Sequence, residues 1–139
     1  MSGPPRRMSR PLPISESATP GGTAVFETFA VVRVPFPFTD RAAQRRRPAV
    51  VISGPDFQRG SAHVLLAMIT TARRSSWPLD WPLQDLAPTG LREACCVRLK
   101  LFTLDERLIL GELGHLAAID RCGVQANLRQ LTQPLERES

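Results

Sequence analysis

The sequence predicts a mainly β protein: a small, strongly bent barrel of short strands with one helix near its C-terminus. Three observations carry this. Short runs rich in valine, isoleucine and leucine recur along the chain, separated by proline, glycine and polar stretches. Only residues 118–131 combine length with a helical spacing of apolar residues. The 139 residues, 42% hydrophobic and 22% charged, amount to one globular domain. In an all-β core of that size, closing the sheet removes its exposed edges.

Residues 1–22 contain proline, glycine, serine and arginine with little to bury, and read as a disordered leader. The folded domain spans 23–133, and 134–139 fray. Ala30–Val34 (AVVRV) is the first strand, which Pro35 and Pro37 end or confine to an edge. Residues 38–47 form a polar, basic hairpin loop. Pro48–Ser53 (PAVVIS) is a second strand, with proline tolerated at its first position. Gly54–Ala62 is loop. His63–Thr70 (HVLLAMIT) is apolar but only eight residues long, which favours a buried central strand over a helix. Residues 72–93 are irregular. The pairs Trp77-Pro78 and Trp81-Pro82 argue against one continuous helix, and the indoles either cover the barrel or stack on a ligand. In the strand Ala94–Leu101 (ACCVRLKL), alternation puts Arg98 and Lys100 on one face and Val97, Leu99 and Leu101 on the other. Thr103–Glu106 (TLDE) matches a capping box and opens a short helical turn. Leu113–Leu116 is a short closing strand. In the helix at 118–131, Ile119, Val124, Leu128 and Leu131 share one face, and Gly123 weakens it.

The charge narrows the partners. Eighteen basic residues against 13 acidic ones give a net +5, and 17 of the basic residues are arginine; Lys100 is the sole lysine. A guanidinium fork binds phosphate bidentately, so a polyanion, nucleic acid first, is the favoured partner. No apolar run reaches the ~18 residues that span a bilayer. No apolar stretch follows Arg6, Arg7 and Arg10, so the start is not a secretory signal. A cytoplasmic protein without membrane attachment is expected. Cys95, Cys96 and Cys122 match neither a zinc spacing nor a disulfide scaffold, and of the adjacent pair Cys95 and Cys96 one or both read as small buried hydrophobes. Two histidines without an HExxH-like pair, and no glycine-rich phosphate loop, leave neither a metal nor a cofactor to expect.

Four positions suggest chemistry. Arg45, Arg46 and Arg47 precede a strand, and Arg47 is held toward extended backbone by Pro48. Such an anchored arginine can grip a phosphate. Thr70 and Thr71 end the apolar strand, with one hydroxyl on each side. Arg98 offers a second strand-anchored guanidinium, and Lys100 lies on the same face. Together, Arg47, Thr70, Arg98 and Lys100 would hold an anion without any acidic metal ligand. That suits RNA cleavage by the internal 2'-hydroxyl, which needs no metal, better than metal-dependent DNA hydrolysis.

These runs also resemble a known family. VVRVPFPFTD at 31–40, RRRPAVVIS at 45–53, LLAMITTA at 65–72, GL at 90–91, VRLKLFTLDERLI at 97–109 and LGHL at 113–116 come in the order of the MazF/PemK toxins and cover about residues 30–131. The resemblance implies an SH3-like barrel (CcdB/MazF/PemK-like), a homodimer, and a small acidic cognate antitoxin. It implies a ribosome-independent, metal-independent endoribonuclease of a type II toxin–antitoxin system acting on single-stranded RNA. The family's catalytic arginine before the RP proline matches Arg47, its threonine of the IT pair matches Thr70, and a later functional arginine matches Arg98. RNA contacts are expected from Thr71, Lys100, Arg45, Arg46 and Asp40, and from Trp77 and Trp81. The chain departs from the family at Phe29 and Ala30, where a glycine and an acidic residue are usual, and at Lys100, where some members are acidic. Two other readings stand beside this one: a CcdB-like gyrase poison that shares the barrel, and a catalytically degenerate barrel that only binds RNA or an antitoxin.

Overall fold

The computed structural model describes residues 24–36, 45–71 and 75–133. The predicted leader, the frayed tail and Asp40 lie outside these residues. Six strands form one antiparallel sheet: β1 (Ala30–Phe36), β2 (Arg45–Val51), β3 (His63–Thr70), β4 (Trp81–Pro82), β5 (Cys96–Asp105) and β6 (Gly111–His115). Their order is β4-β5-β3-β2-β1-β6. The curled sheet is a half-barrel, since β4 and β6 end it without pairing to each other. The segment between β4 and β5 instead crosses to β6, where Gly90 (φ +79°) packs on Leu113 and Gly114 packs on Pro88 and Thr89. A side chain at Gly114 would strike the Pro88 carbonyl.

Both faces of the central strands are buried, which explains the nearly unbroken apolar runs of β1 and β3. One core holds Val32, Val34, Val51, Val64, Leu66 and Leu104. The other holds Val31, Val50, Ala67, Ile69, Val97 and Val124, the last from helix α2 (Ala118–Thr132). Successive residues of β1 therefore alternate between two cores.

Several elements differ from the sequence expectation. Strand β1 runs through Pro35 because β6 pairs only with Ala30–Arg33, so the missing N–H falls where β1 has no neighbour on that side. Strand β2 begins at Arg45, and the three arginines are strand residues opposite Val34, Pro35 and Phe36. Residues 55–61, read as loop, form helix α1 (Pro55–Ser61) with proline in its first turn. Its anchor is polar: buried Gln58 accepts from Phe26 N–H at 2.8 Å and donates to the Ala24 carbonyl at 2.8 Å and to Glu106 at 3.0 Å. Strand β5 continues to Asp105, so Thr103 does not cap a turn. Asp105 does, accepting the Arg107 N–H ahead of the 3₁₀ turn Glu106–Leu108.

The expected apolar face of α2 is also corrected. Ile119 and Leu131 are exposed, and the buried face is Asp120, Gly123 and Val124. Asp120 accepts the Trp81 indole N–H at 2.8 Å and the Gln84 and Asp85 N–H groups at 2.8 and 3.1 Å. Gly123 leaves room for the Trp81 ring, into which any Cβ would run. The glycine that weakens the helix by propensity is required by packing.

Candidate functional site

The site forms where a ladder stops. Strands β2 and β3 pair from Val51↔Leu66 to Ala49↔Met68. Pro48 has no N–H to continue the ladder, and the same register carried two steps past Ala49↔Met68 would set Arg47 opposite Thr70. Beyond that point the two strands part around a hollow of about 390 Å³ lined by Arg45, Arg46, Arg47, Thr70, Thr71 and Arg92, with Glu93 and Cys95 on its wall. A second hollow of about 230 Å³ adjoins it, lined by Phe36, Met68, Arg98 and Lys100 and again by Arg47 and Thr70. Arg47 and Thr70 thus form the wall shared by both. The Arg47 guanidinium carbon lies 4.8 Å from the centre of the Phe36 ring, a cation–π contact that fixes the side chain over the mouth.

Strand β5 supplies the far side. Its register against β3 jumps from Ala67↔Leu101 to Met68↔Arg98, leaving Leu99 and Lys100 as an insertion. Two extra residues preserve the facing. Val97, Leu99 and Leu101 pack on one core, and Arg98 and Lys100 line the second hollow, as alternation predicts. The bulge presents Lys100, which is exposed, at the mouth.

Arg98 is placed as expected but occupied. It is 9% exposed. Its Nε and Nη2 donate to the two oxygens of Asp80 at 3.2 and 3.0 Å, and Nη2 also reaches the Ser75 carbonyl at 3.2 Å. Nη1 approaches Ser75 Oγ at 3.4 Å. Trp77 covers the guanidinium, 5.3 Å from ring centre to carbon. Burial pushes the Asp80 carboxyl up, but the hydrogen bonds and charge of Arg98 and the Trp77 N–H outweigh it and hold it below the usual carboxylate range. The same carboxylate holds Arg98 above its ordinary value. Asp80 is the residue that sequence reasoning missed. It sits in the turn Trp77–Asp80, where Leu79 adopts φ 68° and Asp80 N–H closes on the Trp77 carbonyl at 3.3 Å.

The tryptophans divide. Trp77 is 41% exposed and stands over Arg98 beside the second hollow. Trp81 is held by Asp120 and Gly123 and joins β4 to α2, so its ring is part of the packing. Cys95 lines the first hollow, where burial pushes its thiol up, and burial pushes Cys96 up as well. Neither is poised as a thiolate nucleophile. The departures at Phe29 and Ala30 lie away from both hollows. Phe29 takes φ 72°, the conformation a glycine would favour, and Ala30 is buried in a core. Among the described residues no helix is long and apolar enough to cross a membrane.

Comparison with known proteins agrees with this architecture. A MazE–MazF structure (Form-II) from Deinococcus radiodurans superposes with a TM-score of 0.59 at 22% identity, covering 78% of this chain and 95% of that one. An endoribonuclease in complex with its cognate antitoxin, from a mycobacterial species, superposes with a TM-score of 0.62 at 17% identity, covering 81% and 98%. These likenesses establish the fold. Curated protein sequences give no match. The family model described as PemK-like, MazF-like toxin of type II toxin-antitoxin system matches residues 27–132, and the chain belongs to that family.

Proposed function

We propose that the protein is a metal-independent endoribonuclease toxin that cleaves single-stranded RNA by attack of the 2'-hydroxyl on the adjacent phosphate. The observation that carries this is the shared wall of Arg47 and Thr70 between two adjoining hollows rich in cations. A nucleotide on each side would place the connecting phosphate between them. Arg47 neutralises the phosphate and offers a bidentate fork to its oxygens. Thr70 orients it through its hydroxyl. The preorganised cations stabilise the extra charge of the pentacoordinate state, a term usually larger than any other in such reactions. Arg98 contributes as the fixed cation of a neutralised pair, not as a free fork. Thr71, Arg45, Arg46 and Arg92 surround the first hollow and would bind the neighbouring nucleotide, while exposed Trp77 offers a face on which a base can stack.

The partners follow from the same reading: a homodimer, and a small acidic antitoxin whose flexible segment would occupy the basic hollows. One supporting parallel is the mycobacterial endoribonuclease, which was solved with its cognate antitoxin. The deciding experiment pairs an RNA oligonucleotide with one carrying 2'-deoxyribose at the scissile position, both in EDTA. The RNA should yield a 2',3'-cyclic phosphate and a 5'-hydroxyl by mass spectrometry, and the deoxy substrate should resist. Equal cleavage of both would exclude 2'-hydroxyl attack. No cleavage of any RNA by the folded protein would favour the gyrase-poison or degenerate readings.

A further inference from the structure

The proposed reaction needs a proton for the departing 5'-oxygen, and among the described residues the hollows hold few groups able to give one. The residues lining the second hollow are Phe36, Arg47, Met68, Thr70, Arg98 and Lys100. A guanidinium is by nature a very weak acid, weaker than an ammonium. Arg98 has in addition directed its Nε–H and both Nη2 hydrogens to Asp80 and Ser75. A threonine hydroxyl is weaker still as an acid. In the first hollow the Cys95 thiol points its hydrogen at the Glu93 carbonyl, 3.1 Å away. His63 lies at the start of β3, the end remote from Thr70, and His115 lies on β6; neither lines either hollow.

Lys100 remains. It is the only lysine in the chain, and the insertion of Leu99 and Lys100 into β5 is what brings it to the mouth. We infer that Lys100 is the proton donor to the leaving 5'-oxygen. The inference rests on the cleavage reading above. In the step, the 2'-oxygen bonds to phosphorus as its proton passes to solvent water. The bond from phosphorus to the 5'-oxygen breaks, its electron pair stays on that oxygen, and the oxygen takes a proton from the Lys100 ammonium. The resulting amine regains a proton from water, so the enzyme is restored and nothing else is consumed. Arg47 then serves the phosphate charge alone, which removes the difficulty of asking a guanidinium to exchange protons.

The test uses the purified full chain and an RNA oligonucleotide spanning a cleavage site first mapped on a long transcript. The same oligonucleotide is made with sulfur in place of the scissile 5'-oxygen, a leaving group that needs no proton. Lys100→Met should slow the oxygen substrate by about 100-fold or more, the scale of general acid catalysis. On the sulfur substrate it should remain within about threefold of wild type, and KM should change little on either. Lys100→Arg, which keeps the charge but is the poorer acid, should behave like Lys100→Met on the oxygen substrate. Since Lys100 is exposed, both variants should fold, which circular dichroism verifies. Equal slowing of both substrates by Lys100→Met would reduce Lys100 to a charge contact and overturn the inference, as would wild-type rates with oxygen. A wild-type protein that cleaves no RNA, or cleaves the 2'-deoxy substrate equally, would instead refute the reading on which it rests.

Discussion

Replacing Asp80 with alanine tests what holds the turn over the second hollow. The carboxylate meets Arg98 at 3.0 and 3.2 Å, with the two side chains 11% (Arg98) and 14% (Asp80) exposed. Two unit charges about 4 Å apart attract by about 4 kcal/mol at an effective dielectric of 20. Desolvation of both ions offsets most of that, so the intact pair adds little net stability. The single substitution is a different matter, because it leaves a largely buried guanidinium without its anion. Breaking a fully buried pair costs about 3–5 kcal/mol; with some solvent access left, Asp80→Ala should cost about 2–3 kcal/mol. Removing both charges, with Asp80→Leu and Arg98→Met together, should stay within about 1 kcal/mol of wild type. Urea unfolding of wild type, Asp80→Leu, Arg98→Met and the double variant, run beside Asp80→Ala at one fixed concentration and followed by tryptophan fluorescence, gives the coupling directly. The pH dependence has a definite sign. A carboxyl held below its usual range in the folded state contributes fully above its unfolded value of about 3.9 and loses that contribution as pH falls through the folded value. The deficit of Asp80→Ala should therefore be full at neutral pH and shrink below about pH 4. A deficit under about 0.5 kcal/mol at neutral pH, or one that acid leaves unchanged, would refute the pairing argument.

Other substitutions probe the rest of the molecule. Arg47→Ala should abolish cleavage while costing at most about 1 kcal/mol of stability, the scale of its contact with Phe36; a cleavage assay beside a melting curve separates the two. Thr70→Ala should slow cleavage at least tenfold, since losing a charge-assisted hydrogen bond removes about 1.5–3 kcal/mol, and wild-type rates would remove Thr70 from the site. Gly123→Ala should destabilise by about 1–3 kcal/mol through overpacking against Trp81, despite alanine's better helix propensity. A rise in melting temperature would show that the indole moves aside. Light scattering at micromolar concentration should give about twice the 15.4 kDa chain mass, and a persistent monomer would count against the homodimer.

Where two physical signals coincide, the structure was legible from the chain. Strand β3 matches its sequence bounds because it is apolar from Val64 to Ile69 and buried on both faces there. That Arg47 and Thr70 lie side by side at the hollows was legible because proline and a strand end mark them. Helix α1 was not: its one large apolar residue, Phe57, is exposed, and its anchor is Gln58, whose partners lie 32 to 48 residues away. Pro55 was the signal available. The extension of β2 through three arginines was hidden because charge reads as loop, whereas here it lines an opening between parted strands. Arg98 was read as a free cation because Asp80, 18 residues distant, lies in an irregular segment with no periodicity to place it. Gly123 was misjudged for the same reason, since propensity describes a helix alone and Trp81 comes from another element.

The half-barrel leaves two outer strands, and a bare outer strand is a template on which other chains can polymerise. Here each is a poor template. Strand β4 has two residues, and Pro82 supplies no donor. Strand β6 has five, two of them glycine and one Glu112, and its ladder with β1 is broken by a bulge at Val31/Val32. Neither of these two short strands presents a long, flat row of amides. Growth of fibres by addition to β4 or β6 is therefore disfavoured, although among the described residues the sheet does not close on itself.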